Sequence, residues 1–159
     1  MQLASLALAR GLYGDSEVLT RQSLDIFRKT LPPAHPYIAT GMANLGRSLV
    51  ELRRFDDALT ILTEAIKLET ESLGPESEEV AIAGVSLGRA LAAKHDFAEA
   101  EPLFQKGYRV LVTTRGAQSA RTVQVRERVT EFYAQSGQPA KGDAFFRSVS
   151  SGETTSVIH

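Results

Sequence analysis

Gly84-Val85-Ser86-Leu87-Gly88 spells G-x-S-x-G, the string in which a serine nucleophile is raised on a sharp strand-to-helix turn for acyl transfer. That chemistry needs the turn. Here the flanking apolar residues repeat at helical spacing, so the string is expected inside a helix, with Ser86 not a nucleophile. The same glycines lack a following lysine and make no phosphate loop. His35, His95 and His159 stand far apart, and none has another histidine at i+4, the spacing that aims two imidazoles at one zinc ion. The absence of cysteine removes disulfides, thiolate catalysis and cysteine zinc sites together. No enzyme activity, metal or cofactor is therefore expected. Arg47 and Arg89 are better placed for chemistry. Each follows a Leu-Gly pair, and two adjacent guanidinium groups can hold a carboxylate or an acidic side chain bidentately. The bland alternative is that both are solvated or paired with Glu51, Glu127 or Glu131.

The elements that would position these arginines repeat at a fixed period of 42 residues, as Asn44 to Ser86 shows. Asn44-Leu45-Gly46-Arg47 recurs as Ser86-Leu87-Gly88-Arg89, and Phe55-Asp56-Asp57-Ala58 as Phe97-Ala98-Glu99-Ala100. Such a period marks an array whose units bury their apolar faces against their neighbours. Ile38, Met42, Leu45, Leu49 and Leu52 fall at steps of three and four, one stripe of an amphipathic helix, and Leu59, Leu62, Ala65 and Ile66 form a second. Pro32, Pro33 and Pro36 punctuate one boundary, and Leu73-Gly74-Pro75 the next, with Gly74 ending a helix. Ser77 is expected to open a helix, with Glu78 and Glu79 at its positive end. Asp15 and Asp96 are expected as caps of second helices.

The spacing predicts an all-α fold of four helix pairs: 1–11 with 15–29, a truncated pair; 35–52 with 55–71; 77–94 with 97–113; and a degenerate last pair, 119–136 with 139–148. One domain over 1–148 and a flexible tail over 149–159 follow.

Composition narrows the function further. Net charge is -1, so no basic excess draws nucleic acid or anionic lipid. The aromatic residues fall mostly at core positions, which disfavours a base-stacking platform. No apolar run approaches the ~20 residues of a membrane span, and the start at Met1 lacks the basic flank and cleavage site of a signal peptide. The lack of cysteine fits a reducing compartment, so a cytoplasmic location is expected, with an extracytoplasmic domain of a larger protein left open.

Asn-Leu-Gly in a first helix and Phe-x-x-Ala at the start of a second resemble the tetratricopeptide repeat. Leu45, Gly46, Leu49, Ala58, Leu62 and Ala65 fill the family positions of one pair. Leu87, Gly88, Leu91, Ala100, Phe104 and Gly107 fill those of the next, and Val129, Thr130, Tyr133, Gly142, Phe146 and Val149 those of the last. The long period and the segment Leu31-Pro32-Pro33-Ala34-His35-Pro36-Tyr37-Ile38-Ala39 resemble the 42-residue variety of kinesin light chains and bacterial repeat proteins. The resemblance implies a right-handed superhelical solenoid of antiparallel helix pairs, whose first helices line a concave, ligand-binding face. By that register the inward polar set is Thr40, Asn44 and Arg47, then Ser86 and Arg89, then Glu127, Arg128 and Glu131.

A non-catalytic module binding a protein or peptide, an acidic one by its arginines, is thus the expected function. The alternative is a structural or regulatory segment of a larger bacterial signalling protein. The stretch 121–146 is similar to the closing repeat of segments attached to bacterial serine/threonine kinases, and the start inside a first helix fits a fragment. Leu3, Leu6, Leu8 and Leu12 either pack inward or form an exposed edge for self-association. Glu64, Glu69, Glu71, Glu76, Glu78 and Glu79 read as a solvated acidic rim or a second partner surface.

Overall fold

The computed structural model describes residues 1–151. Among them are eight helices: α1 (Gln2–Ala9), α2 (Tyr13–Thr30), α3 (Pro36–Glu51), α4 (Phe55–Leu73), α5 (Glu78–Ala93), α6 (Phe97–Arg115), α7 (Ala120–Gln135) and α8 (Pro139–Ser150). The four expected pairs are present. The β-branched run Val110 to Thr114 continues α6, and α8 carries Val149 and Ser150, which the sequence reading placed in the tail. The remainder of that tail, 152–159, lies outside the described residues. No helix among the described residues is long and apolar enough to cross a membrane.

The linkers repeat as strictly as the helices. His35, Ser77 and Ser119 cap α3, α5 and α7 from extended backbone. His35 Nδ1 accepts from the Tyr37 N–H at 3.2 Å, Ser77 Oγ from Val80 at 3.3 Å, and Ser119 Oγ from Thr122 at 3.2 Å. The caps expected at Asp15 and Asp96 are not made. Asp15 lies inside the first turn of α2, and Asp96 at the start of α6 makes no side-chain cap. The reason is backbone geometry. Leu12, Arg54 and Asp96 enter their helices at ψ near 60–70°, away from the extended conformation from which a cap side chain reaches back.

Within each pair the turn takes a left-handed residue at one register position: Gly11 (φ 76°), Arg53 (φ 61°), His95 (φ 67°) and Gly137 (φ 72°). Glycine occupies this conformation freely, whereas a β-carbon costs about 1–2 kcal/mol. Glycine also adds about 0.4–1 kcal/mol of unfolded-state entropy. Arg53→Gly and His95→Gly are therefore each expected to stabilise by about 0.5–1 kcal/mol in urea melts. A loss of stability in both would refute this account of the turn.

Small residues set the helix crossings. Ala58, Ala65 and Ala100 are fully buried. A β-carbon on Gly46 would come 2.4 Å from Leu62 Cγ, and one on Gly107 2.3 Å from Val85 Cγ2. Two cores result. One, around Leu24, Met42, Leu45, Leu49 and Leu62, joins the first three pairs. The other, around Phe104, Leu111, Val129 and Tyr133, joins the third and fourth. First helices also touch one another in the order α1, α3, α5, α7, whereas second helices make no comparable contact among themselves. The first helices thus form the tighter, inner side of the array.

Candidate functional site: the groove along the first helices

Three adjoining depressions run along this inner side. The first is lined by Ser5 and Leu8 of α1, Thr40, Asn44 and Arg47 of α3, Glu69 of α4, Glu78 and Glu79 of α5, Arg115 of α6 and Arg121 of α7. The second shares Arg47 and Arg121 with the first and adds Glu51, Ser86, Arg89, Gln124 and Arg128. The third shares Glu51, Arg89 and Arg128 with the second and adds Arg53, His95, Phe104, Glu131 and Gln135.

Seven of the eight residues singled out by register line these depressions; Glu127 does not. It stands at the period equivalent of Ala43 and Val85, which are buried and line the first and second depressions, whereas Glu127 is exposed on α7 and lines none. The groove-facing residues of α7 are Arg121, Gln124, Arg128, Glu131 and Gln135.

Position on a helix follows from register; pairing does not. Arg89 is not free. Its Nη1 and Nη2 donate to Glu51 Oε1 and Oε2 at 2.5 and 3.2 Å, a bidentate bridge from α5 to α3. Burial pushes the Glu51 carboxyl up, but the Arg89 hydrogen bond and the charges of Arg89, Arg128 and Arg47 bring it below the usual carboxylate range. Arg128 is paired more loosely with Glu131 at 3.2 Å. Arg47 meets no carboxylate within 4.0 Å among the described residues and donates only to Asn44 Oδ1 at 3.3 Å, while Asn44 Nδ2 donates to Ser5 Oγ at 3.2 Å. Burial holds the Arg47 guanidinium below its ordinary pKa, and Arg121 and Arg89 push the same way against Glu51 and Glu69. A half-buried cation repelled by two others favours an anion beside it.

Ser86 is no nucleophile on this geometry. It lies within α5, is buried, and donates its hydroxyl to the Ile82 carbonyl at 3.1 Å, so G-x-S-x-G here is helix interior. Among the described residues no three His, Cys, Asp or Glu side chains are grouped to hold a metal.

Several groove residues had no place in the expected inward set, among them Arg115, Arg121, Gln124, Gln135 and Glu69. Arg121 follows the Ser119 cap, lines the first and second depressions with Arg47, and its charge helps to lower the Arg47 pKa. Glu69, read as part of a solvated rim, is instead 2% exposed. That expectation is corrected: its period equivalents are Phe27 and Leu111, so the position belongs to the core stripe of α4, and the register carried this signal. Glu78 is not plain rim either, since Arg115 Nε donates to it at 2.5 Å. At the N-terminal end Leu8 packs inward, while Leu3, Leu6 and Leu12 remain exposed.

Stacked helix pairs around a polar inner groove define a helical repeat solenoid. The chain belongs to the tetratricopeptide repeat family, whose model matches residues 1–71 and 44–111. The clustered mitochondria protein homolog of Candida albicans (strain SC5314 / ATCC MYA-2876) is 25% identical over 118 residues, 74% of this chain. The chain spans only 9% of that relative's length. Among solved structures, a kinesin light chain candidate from Podosopora anserina with nearly identical TPR-like repeats superposes with a TM-score of 0.76 at 18% identity, covering 99% of this chain and 74% of that one. BtubC (BKLC) of P. vanneervenii superposes with a TM-score of 0.70 at 20% identity, covering 99% of this chain and 63% of that one. Such identities speak to fold, and the fold is the tetratricopeptide solenoid of kinesin-light-chain type expected from the repeat. Family membership indicates a protein-interaction or scaffold role.

Proposed function

We propose that this chain binds an extended peptide with acidic side chains in the groove along α1, α3, α5 and α7, without catalysing a reaction. The observation that carries this is the arginine row Arg47, Arg89, Arg121 and Arg128 in the second depression, where Glu51 is the one acidic lining residue. Arg47 and Arg121 have no carboxylate within 4.0 Å among the described residues, so both are available to a ligand anion. Preformed helices confine the ordering cost of binding largely to the peptide.

The test leaves the Arg89–Glu51 bridge intact. Arg47→Glu/Arg121→Glu and wild type are compared in affinity capture from source lysate, after both are shown folded by circular dichroism. A partner held by wild type is expected to be lost from the double variant. Equal capture by both would remove the groove from the function.

A second reading, a structural segment that self-associates, has its own observation. Leu3, Leu6, Leu12 and Val18 are exposed around a shallow apolar depression flanked by Arg10 and Asp15. A second copy related by a two-fold axis would lay leucine on leucine and bring Arg10 toward the other copy's Asp15. Sedimentation of a monomer at every concentration up to about millimolar would exclude it.

A further inference from the structure

The first depression contains a carboxyl group that the fold leaves unsatisfied. Glu69 Oε2 is buried and has no hydrogen-bond partner. The nearby pairings go elsewhere: Arg115 to Glu78 at 2.5 Å, Arg89 to Glu51, and Arg47 to Asn44. Arg47 faces Glu69 closely enough to favour its ionised form, yet no ion pair to Glu69 lies within 4.0 Å among the described residues. A core position that holds leucine one period later, at the fully buried Leu111, here places a 2% exposed glutamate in the wall of a depression of about 380 Å³. That space equals about a dozen water volumes and admits one long side chain. Glu79, exposed on α5, lines the same cavity, and its charge acts on Glu69. Two carboxyls from different helices thus line one depression, and neither has an ion-pair partner within 4.0 Å among the described residues.

We propose that this cavity receives the ammonium or guanidinium of a lysine or arginine side chain of the bound peptide, held between Glu69 and Glu79. The inference rests on the groove reading and deepens it. The ligand would carry a basic residue at the Thr40 end of the groove and acidic residues along the arginine row. A long cationic side chain fits because its methylenes can run past Leu8 and Ala43 while its head reaches the buried carboxyl. It would set a positive charge beside both carboxyls and relieve the repulsion between Glu69 and Glu79.

Binding would also be linked to protons. The groups facing Glu69 are Arg47 on α3, Glu78 and Glu79 on α5, Arg115 on α6 and Arg121 on α7. Burial, with Glu79 adding and Arg47 opposing, pushes the Glu69 carboxyl up to about 7. A cationic ligand selects the ionised form, so affinity would rise as pH goes from about 6 to about 8.

The experiment is selection from a randomised peptide library displayed on phage, run on wild type, on Glu69→Gln, on Glu79→Gln and on Arg47→Glu/Arg121→Glu, each shown folded. Wild type is expected to enrich acidic peptides that carry a lysine or arginine offset from the acidic run. Changing that residue to norleucine is expected to weaken binding to wild type about tenfold at about pH 8, and hardly at all to either glutamine variant. Acidic peptides without a basic position, or the same basic preference in both glutamine variants, would overturn the cation site and leave the groove reading standing. No enrichment over Arg47→Glu/Arg121→Glu would overturn both. Glu79→Gln, at an exposed position, keeps the test valid should Glu69→Gln perturb packing.

Discussion

Glu69→Leu is expected to raise the melting temperature of this protein by roughly 4–8 °C at about pH 8. The native glutamate is buried, with one oxygen unpartnered, and its carboxyl is pushed from 4.5 to about 7. Holding such a group ionised at alkaline pH costs roughly 3 kcal/mol relative to the unfolded chain. Leucine removes that cost and supplies the side chain that the repeat carries at Leu111. Shape mismatch at a site built around a carboxyl offsets part of the gain, leaving about 2 kcal/mol.

The pH dependence separates this explanation from ordinary repacking. Glu69 has a higher pKa folded than unfolded, so between about 4.5 and 7 the folded form binds more protons. Its contribution to stability is fully present below about 4.5 and is lost as pH rises through about 7. The advantage of Glu69→Leu should therefore be small near pH 4.5, grow through that window, and level off above it. An advantage independent of pH, or a loss of stability at about pH 8, would mean that the carboxyl is better accommodated than its surroundings indicate. If the cation site is right, the same substitution abolishes recognition of the basic ligand residue. A core defect retained at a binding groove is a familiar exchange of stability for recognition.

The fold was legible because punctuation and period agree. Pro36, Gly74 and Pro139 mark helix ends, and each apolar stripe returns 42 residues on, as Leu62 does in Phe104. What escaped needed three dimensions. Asp15 and Asp96 look like caps by type, but α2 begins before Asp15, at Tyr13, and Asp96 enters α6 at ψ 61°, and sequence displays neither. Glu69 sits among Glu64, Glu71, Glu76, Glu78 and Glu79, so local composition suggests a solvated rim; only comparison with Phe27 and Leu111 shows that this one glutamate faces the core. The groove positions on α3 and α5 followed from register. Their electrostatics did not, because Arg89 and Glu51 come from separate helices and Arg121 approaches Arg47 across two repeats. Glu127 shows the limit of counting residues. Its period equivalents Ala43 and Val85 line the first and second depressions, yet Glu127, exposed on the last of the first helices, lines none of the three.

Phe104→Ala is expected to cost about 3–5 kcal/mol and to loosen one end of the array first. Phe104 is buried, with its ring centroid 4.7 Å from that of Phe132 on α7 at an interplanar angle of 30°. A β-carbon on Gly88 would stand 3.2 Å from its ring, so the side chain fills the gap between α5 and α6 as well as that between the third and fourth pairs. Its period equivalent, Leu62, serves the other core, which does not include Phe104. In a solenoid, stability is close to a sum of unit and neighbour-interface contributions, so removing one interface side chain should not weaken all pairs alike. Amide exchange in Phe104→Ala is therefore expected to accelerate most in α7 and α8, less in α5 and α6, and least in α3 and α4. Phe104→Leu, which restores the residue type of the preceding repeat, should recover about half of the lost stability, because it refills the pair interior without replacing the ring that packs on Phe132. Equal acceleration in every helix would show that the array unfolds as one unit. The two cores would then be joined more tightly than their separate side-chain clusters imply, and a ligand bound at the Glu69 end of the groove would protect α8 as strongly as α3.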